Sequence, residues 1–174
     1  MIKSCHMLVF VVVLILFSGC GYKPSAHHAK VVIDEKVSTQ ILISMTDPEN
    51  TVIIKDAVNE AVITRFDSSL VDKKNSQTHL RITISKITFS PLQYNLEGYI
   101  VTYRTHLTLQ ILRTSGDVAQ TYISKGVYDF AIEPNAIISD QARFLAIKLS
   151  AQKAIDSFIA AVASEGAIKK AKKD

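Results

Sequence analysis

Leu80-Arg81-Ile82-Thr83-Ile84-Ser85-Lys86-Ile87-Thr88-Phe89 decides the fold. Leu80, Ile82 and Ile84 alternate with Arg81, Thr83 and Ser85, the period-two pattern of a strand with one buried face. The phase then slips, because Ile87 and Phe89 carry on one residue late. That slip predicts a β-bulge near Ser85-Lys86. Asn95-Leu96-Glu97-Gly98 supplies a turn. In the next strand Val101, Tyr103, Leu107, Leu109 and Ile111 share one face, and Thr102, Arg104, His106, Thr108 and Gln110 share the other. Ser115-Gly116-Asp117 makes a second turn, and a strand over 119–131 completes a meander. Its alternation is poor, with Tyr122, Tyr128 and Phe130 on one parity and Ile123 and Val127 on the other. Both of its faces are therefore expected to be partly covered.

Upstream, residues 31–33 read as a short strand and 40–44 as a better one, rich in β-branched residues. Asp47-Pro48-Glu49 is a helix start: Asp accepts from orphan amides, Pro suits the first helical position, and Glu suits the positive end of the dipole. Ile54, Val58, Ala61, Val62 and Phe66 then fall on one helical face, predicting a helix to about Leu70. Residues 72–76 are a polar loop. Downstream, Glu133-Pro134-Asn135 breaks the strand pattern, and Ser139 or Asn135 caps a last helix. Its stripe is Phe144, Ile147, Ala151, Ala154, Ile155, Phe158 and Val162, widened by Leu145, Leu149 and Ile159, and Gly166 is its expected stop. The order β-α-β-β-β-α gives an α+β fold, a two-layer sandwich with two helices on one face of a four-stranded mixed sheet.

The N-terminal region is of another kind. Lys3 precedes an uncharged apolar run over 7–17. A cation, an apolar core and small residues at the exit read as a secretory signal. The run is shorter than the about 20 residues a spanning helix needs. It ends in Phe17-Ser18-Gly19-Cys20, which resembles a bacterial lipobox. Cys20 is then expected to carry fatty acyl chains, palmitate among them, and to become the mature N-terminus. Residues 1–19 form the signal peptide, 20–29 a lipidated tether, 30–166 one domain and 167–174 a basic tail. Cys5 is lost with the signal and Cys20 is blocked, which leaves no disulfide and no Cys-ligated metal. His27 and His28 on the tether have no acidic or Cys partner nearby and are read as solvated. Gly21, in place of the Asp that marks inner-membrane retention in many such proteins, directs the chain to the outer membrane.

Residues 20–168 balance, with 15 Lys/Arg and 15 Asp/Glu, and the net charge of +4 comes from Lys3 and from the tail, where Lys169, Lys170, Lys172 and Lys173 outnumber Asp174. Secretion argues against nucleic acid as a partner. No Gly-x-Ser-x-Gly, phosphate loop, His-Glu-x-x-His or Rossmann glycine pattern occurs. The chain is read as a non-enzyme without cofactor or metal. The informative feature is the uncovered sheet face, expected to carry Arg81, Thr83, Thr102, Arg104, His106, Thr108 and Gln110, with no acidic residue. Arg81 and Arg104 are expected to be neighbours across the sheet, where their forked guanidinium groups suit phosphate. Arg143 and Lys148 on the last helix are the other candidate cations.

With this layout the chain resembles the lipopolysaccharide (LPS)-assembly lipoprotein family, the LptE type. The resemblance is carried by Gly19-Cys20-Gly21-Tyr22, by Asp47-Pro48-Glu49 at a strand-to-helix junction, and by Leu80-Arg81-Ile82, Glu97-Gly98 and Tyr103-Arg104 in a central hairpin. The stretch 26–36 departs from the family pattern. The resemblance implies a lipid-anchored outer-membrane protein that faces the periplasm or sits inside the lumen of a β-barrel LPS translocon of the LptD type. It implies a role in assembling that barrel and delivering LPS to the cell surface. Two other classes fit a small lipid-anchored α/β domain: a regulator of a cell-wall synthase, or a secretion-channel subunit. The latter calls for long membrane-inserting hairpins, which the polar parity of Thr102 to Gln110 argues against.

Overall fold

The computed structural model describes residues 32–42, 48–66, 68–134 and 136–171. The signal, Cys20, the tether and Asp47 lie outside them. The elements are β1 (Lys36–Ile41), α1 (Pro48–Phe66), β2 (Ser69–Leu70), β3 (Thr78–Tyr94), β4 (Ile100–Ser115), β5 (Val118–Ala131) and α2 (Asp140–Ala171). They build the expected two-layer α+β sandwich, with one strand more than expected. The five strands run in the order β2-β1-β3-β4-β5. The added strand is two residues long: the first helix ends at Phe66, short of Leu70, and Ser69 and Leu70 pair in parallel with Lys36 and Val37. The first strand begins earlier than expected, at Lys36, and includes Gln40 and Ile41, whereas 43–44 of the expected 40–44 lie outside the described residues. Val32 and Ile33 are buried in a turn ahead of it, not in a strand.

β1 pairs in parallel with β3, and β3, β4 and β5 form an antiparallel meander. The β3–β4 register shifts between Ile84 and Lys86, so Ser85 is the extra residue and the predicted bulge is present. This is why Ile87 and Phe89 return to the core side. Gly98 (φ 84°) and Gly116 (φ 55°) take left-handed conformations in the two turns.

Both helices cover one face. Ile54, Val58 and Val62 of α1 and Ile147, Ala151, Ala154, Ile155, Phe158 and Val162 of α2 pack on Val37, Leu80, Ile82, Leu107, Leu109, Ile111 and Tyr122 of the sheet. On β5 the even positions Tyr122, Ser124 and Gly126 are buried, whereas Ile123 is 70% exposed and Val127 38%. Only one face of β5 is covered, contrary to expectation. Ser139 caps α2, accepting at Oγ from the Ala142 amide at 3.2 Å. Gly166 does not stop this helix, which runs on to Ala171. Gly166 is buried inside it, and tertiary contact there outweighs the ~1 kcal/mol that glycine costs a helix interior. Lys169 is therefore helical, not part of a loose tail.

Candidate functional site

The open face of the sheet is read from the register. Arg81, Thr83, Lys86, Thr88 and Ser90 of β3 lie opposite Leu112, Gln110, Thr108, His106 and Arg104 of β4. Those β4 residues in turn lie opposite Thr121, Ile123, Lys125, Val127 and Asp129 of β5. Arg81, Arg104 and His106 thus share the uncovered face, as the alternation predicts. Arg81 and Arg104 are not neighbours, however. Their β4 positions, 112 and 104, are separated by about 26 Å at ~3.3 Å per residue.

The face is not free of acid either. Asp129 reaches it from β5, and Arg104 grips its carboxylate with two parallel bonds, Nε to Oδ1 and Nη2 to Oδ2, both 2.7 Å. That fork raises the Arg104 pKa and holds the Asp129 carboxyl below its usual range through the hydrogen bond first and the charge second. The fork engages two of the five N–H donors of Arg104 and neutralises its charge. Its guanidinium is a poor candidate for an incoming phosphate.

The cations left available are others. Lys86 and Lys125 flank Thr108 in one cross-strand row, and His106 lies in the next row beside Thr88 and Val127. All three are exposed. Among the described residues no salt bridge engages Lys86, Lys125 or Arg81. The sequence reading passed over both lysines: the bulge hid the face of Lys86, and the ambiguous parity of β5 hid that of Lys125.

Arg143 and Lys148 lie on the helical side and join neither each other nor the open face. The Arg143 guanidinium carbon sits 5.7 Å from the centre of the Phe89 ring, a cation–π contact. Arg143 also borders a pocket of about 550 Å³ with Tyr94, Tyr99, Tyr103 and Ile137 at the hairpin end. Lys148 stands at the rim of an apolar cleft of about 850 Å³ between the helices, lined by Val52, Ile53, Phe144 and Leu145.

One polar cluster was missed altogether. Arg113 is 3% exposed. Its Nη1 donates to the Val32 carbonyl at 2.9 Å, and its Nη2 lies 3.5 Å from Glu165 Oε1. Tyr122 donates its hydroxyl to Glu165 Oε2, and Lys169 Nζ lies 2.7 Å from Oε1. Burial, opposed by nearby Arg113 but aided by the Glu165 bond, pushes the Tyr122 phenol up to about 12. Burial would raise Glu165, but the bonds from Lys169 and Tyr122 hold it below its usual value. The cluster ties the chain entry, the end of β4 and the last turns of α2 together. Its signal was present in the sequence, since Arg113 is in phase with Leu107, Leu109 and Ile111 and so must point into the core.

No family model matches the sequence, and no curated protein does. Solved structures share the fold. A putative lipoprotein from Caulobacter crescentus superposes with a TM-score of 0.50 at 6% identity, covering 82% of this chain and 96% of that one. An uncharacterized lipoprotein B from Nitrosomonas europaea gives 0.50 at 12% identity, covering 76% and 84%. A Xanthomonas campestris protein of the DUF330 family gives 0.50 at 8% identity, covering 78% and 87%. At these identities the likeness establishes the fold alone. Among the described residues no helix is long and apolar enough to cross a membrane.

Proposed function

We propose that this chain is an outer-membrane lipoprotein of the LptE type, anchored through acylated Cys20, which assists a β-barrel LPS translocon and helps deliver LPS to the cell surface. The observation that carries the ligand side of this reading is the open sheet face around Thr108. There Lys86 and His106 are diagonal neighbours across β3 and β4, Arg81 lies further along the same face, and hydroxyl and amide side chains fill the positions between. A lysine ammonium is a compact charge suited to phosphate, and threonine hydroxyls add neutral donors. LPS offers phosphates on a large amphiphile. The lipobox and the lipoprotein neighbours of the fold support the anchor.

The deciding experiment is a pull-down of the full chain from detergent-solubilised outer membranes. Recovery of a large β-barrel together with LPS is expected. Recovery of neither, or recovery of a cell-wall synthase instead, overturns the reading. Cys20→Ala should abolish fatty-acid labelling, and unchanged label would remove the anchor from the proposal.

A further inference from the structure

β5 is a fourteen-residue edge strand. It pairs with β4 on one side, and the sheet ends there. The bond from the Ile132 amide to the Val101 carbonyl, at 3.0 Å, fixes the phase of the ladder. Even positions of β5 bond β4, so the odd positions 119–131 aim their N–H and C=O groups outward. The side chains at these seven odd positions are all exposed on the open face. They include Ile123 (70%) and Val127 (38%). The strand contains no proline, and its pairing with β4 shows no register shift. Proline and bulges are among the devices that blunt an edge.

The sequence of this edge is self-complementary in one antiparallel register. Centred on Val127, the pairing sets Val127 against its copy, Lys125 against Asp129 on both sides of the two-fold axis, Ile123 against Ala131 and Thr121 against Glu133. Opposite charges meet at both Lys125–Asp129 pairs, and apolar residues meet at Val127 and at Ile123–Ala131, the pattern that stabilises neighbouring strands. Two other registers are worse. Centring on Lys125 sets lysine against lysine, and centring on Ile123 sets Asp117 against Asp129. Asp129 can take a second partner, because each carboxylate oxygen that Arg104 occupies keeps a further lone pair.

We propose that β5 pairs edge to edge with β5 of a second copy of this chain, in the register centred on Val127, to form a continuous ten-stranded sheet. This goes beyond the LPS reading and does not rest on it. The interface is isologous and closes on itself, which removes both exposed edges at once.

Sedimentation of the full chain in detergent across a range of concentrations tests it. A monomer–dimer equilibrium is expected. Lys125→Glu puts two like charges opposite Asp129 and should weaken association at least tenfold. Val127→Pro removes an N–H that points outward, leaving the β4 ladder intact, and should also give monomer; proline is tolerated on edge strands. The exchange Lys125→Glu with Asp129→Lys restores opposite charges and should restore the dimer. Thermal melting checks that each variant is folded, and if Val127→Pro is not, the surface change Lys125→Glu carries the test. A wild-type chain that stays monomeric, or a dimer that neither Lys125→Glu nor Val127→Pro weakens, overturns the proposal.

Discussion

Gly126 of β5 lies directly against the backbone of α2 at Ser150: a Cβ on Gly126 would stand 1.8 Å from the Ser150 carbonyl oxygen and 2.6 Å from the Ala154 amide nitrogen. Both atoms are helix backbone and cannot step aside as a side chain can. Gly126→Ala must therefore lift α2 off the sheet. A loss of about 3 kcal/mol or more is expected, the upper end of overpacking, read as a lower midpoint in denaturant. Ile82→Ala, with Ile82 fully buried, should cost roughly 2–5 kcal/mol by the opposite route, a cavity. An unshifted midpoint for Gly126→Ala would mean that the strand and helix are not in contact.

Charge reversal on the open face should separate ligand binding from folding. Lys86 is exposed and in no salt bridge among the described residues, so Lys86→Glu should weaken LPS binding several-fold with stability within ~0.5 kcal/mol of wild type. Arg104→Gln removes a partner of Asp129 instead and should leave LPS binding close to wild type. Binding isotherms alongside melting curves decide, and equal losses for the two variants would return Arg104 to the ligand set.

Tyr122→Phe should cost about 1–2 kcal/mol at neutral pH, because it removes a hydrogen bond to the ionised Glu165. The pH dependence has a definite sign. The folded Tyr122 pKa is raised from 10.0 to about 12, so the protonated phenol's contribution is fully present below pH 10 and is lost as pH climbs through about 12. Wild type and variant should therefore converge in stability over that window. A constant difference between them would show that the Tyr122 hydroxyl does not titrate with folding.

Truncation after Gly166 removes the last helical turn and the tail. Lys169 is half-exposed, and its pair with Glu165 is an i,i+4 contact, worth a few tenths of a kcal/mol. Arg113 remains beside Glu165. The truncated chain should fold with a loss below about 1 kcal/mol, measured by thermal melting. A larger drop would assign Lys169 a share in holding Arg113.

What could be read from the sequence depended on phase. The bulge was legible because Ile87 and Phe89 broke step with Ile84 and so had to regain the core side. The shared face of Arg81 and Arg104 was legible for the same reason. Their separation follows from another rule: a hairpin pairs residues equidistant from its turn, and Arg104 is close to the turn at 95–98 while Arg81 is far from it. Asp129 was hidden because β5 carries apolar residues on both parities, and only the contact of Gly126 with α2 decides which is inside. The run of α2 through Gly166 reflects burial, which local propensity does not report. Arg143 and Lys148 could be placed on the helix, but not on a side of the sheet.

The Arg113 bond to Val32 gives the domain a fixed end. Asp34 reinforces it, accepting from Thr78 and Ser115 at 2.7 and 3.0 Å. From that end β3 runs seventeen residues to Tyr94, a span of about 55 Å, through the bulge at Ser85 and two further register shifts between Pro91 and Tyr94. The turn beyond it is stiffened by Asn95, whose side chain accepts from the Glu97 and Tyr99 amides, and it holds Leu96 fully exposed. The domain is in this respect a rigid spacer. Whatever holds the chain upstream of Val32 also sets how far away Leu96 stands, and lengthening the tether would change where that tip can reach without altering a contact inside the fold.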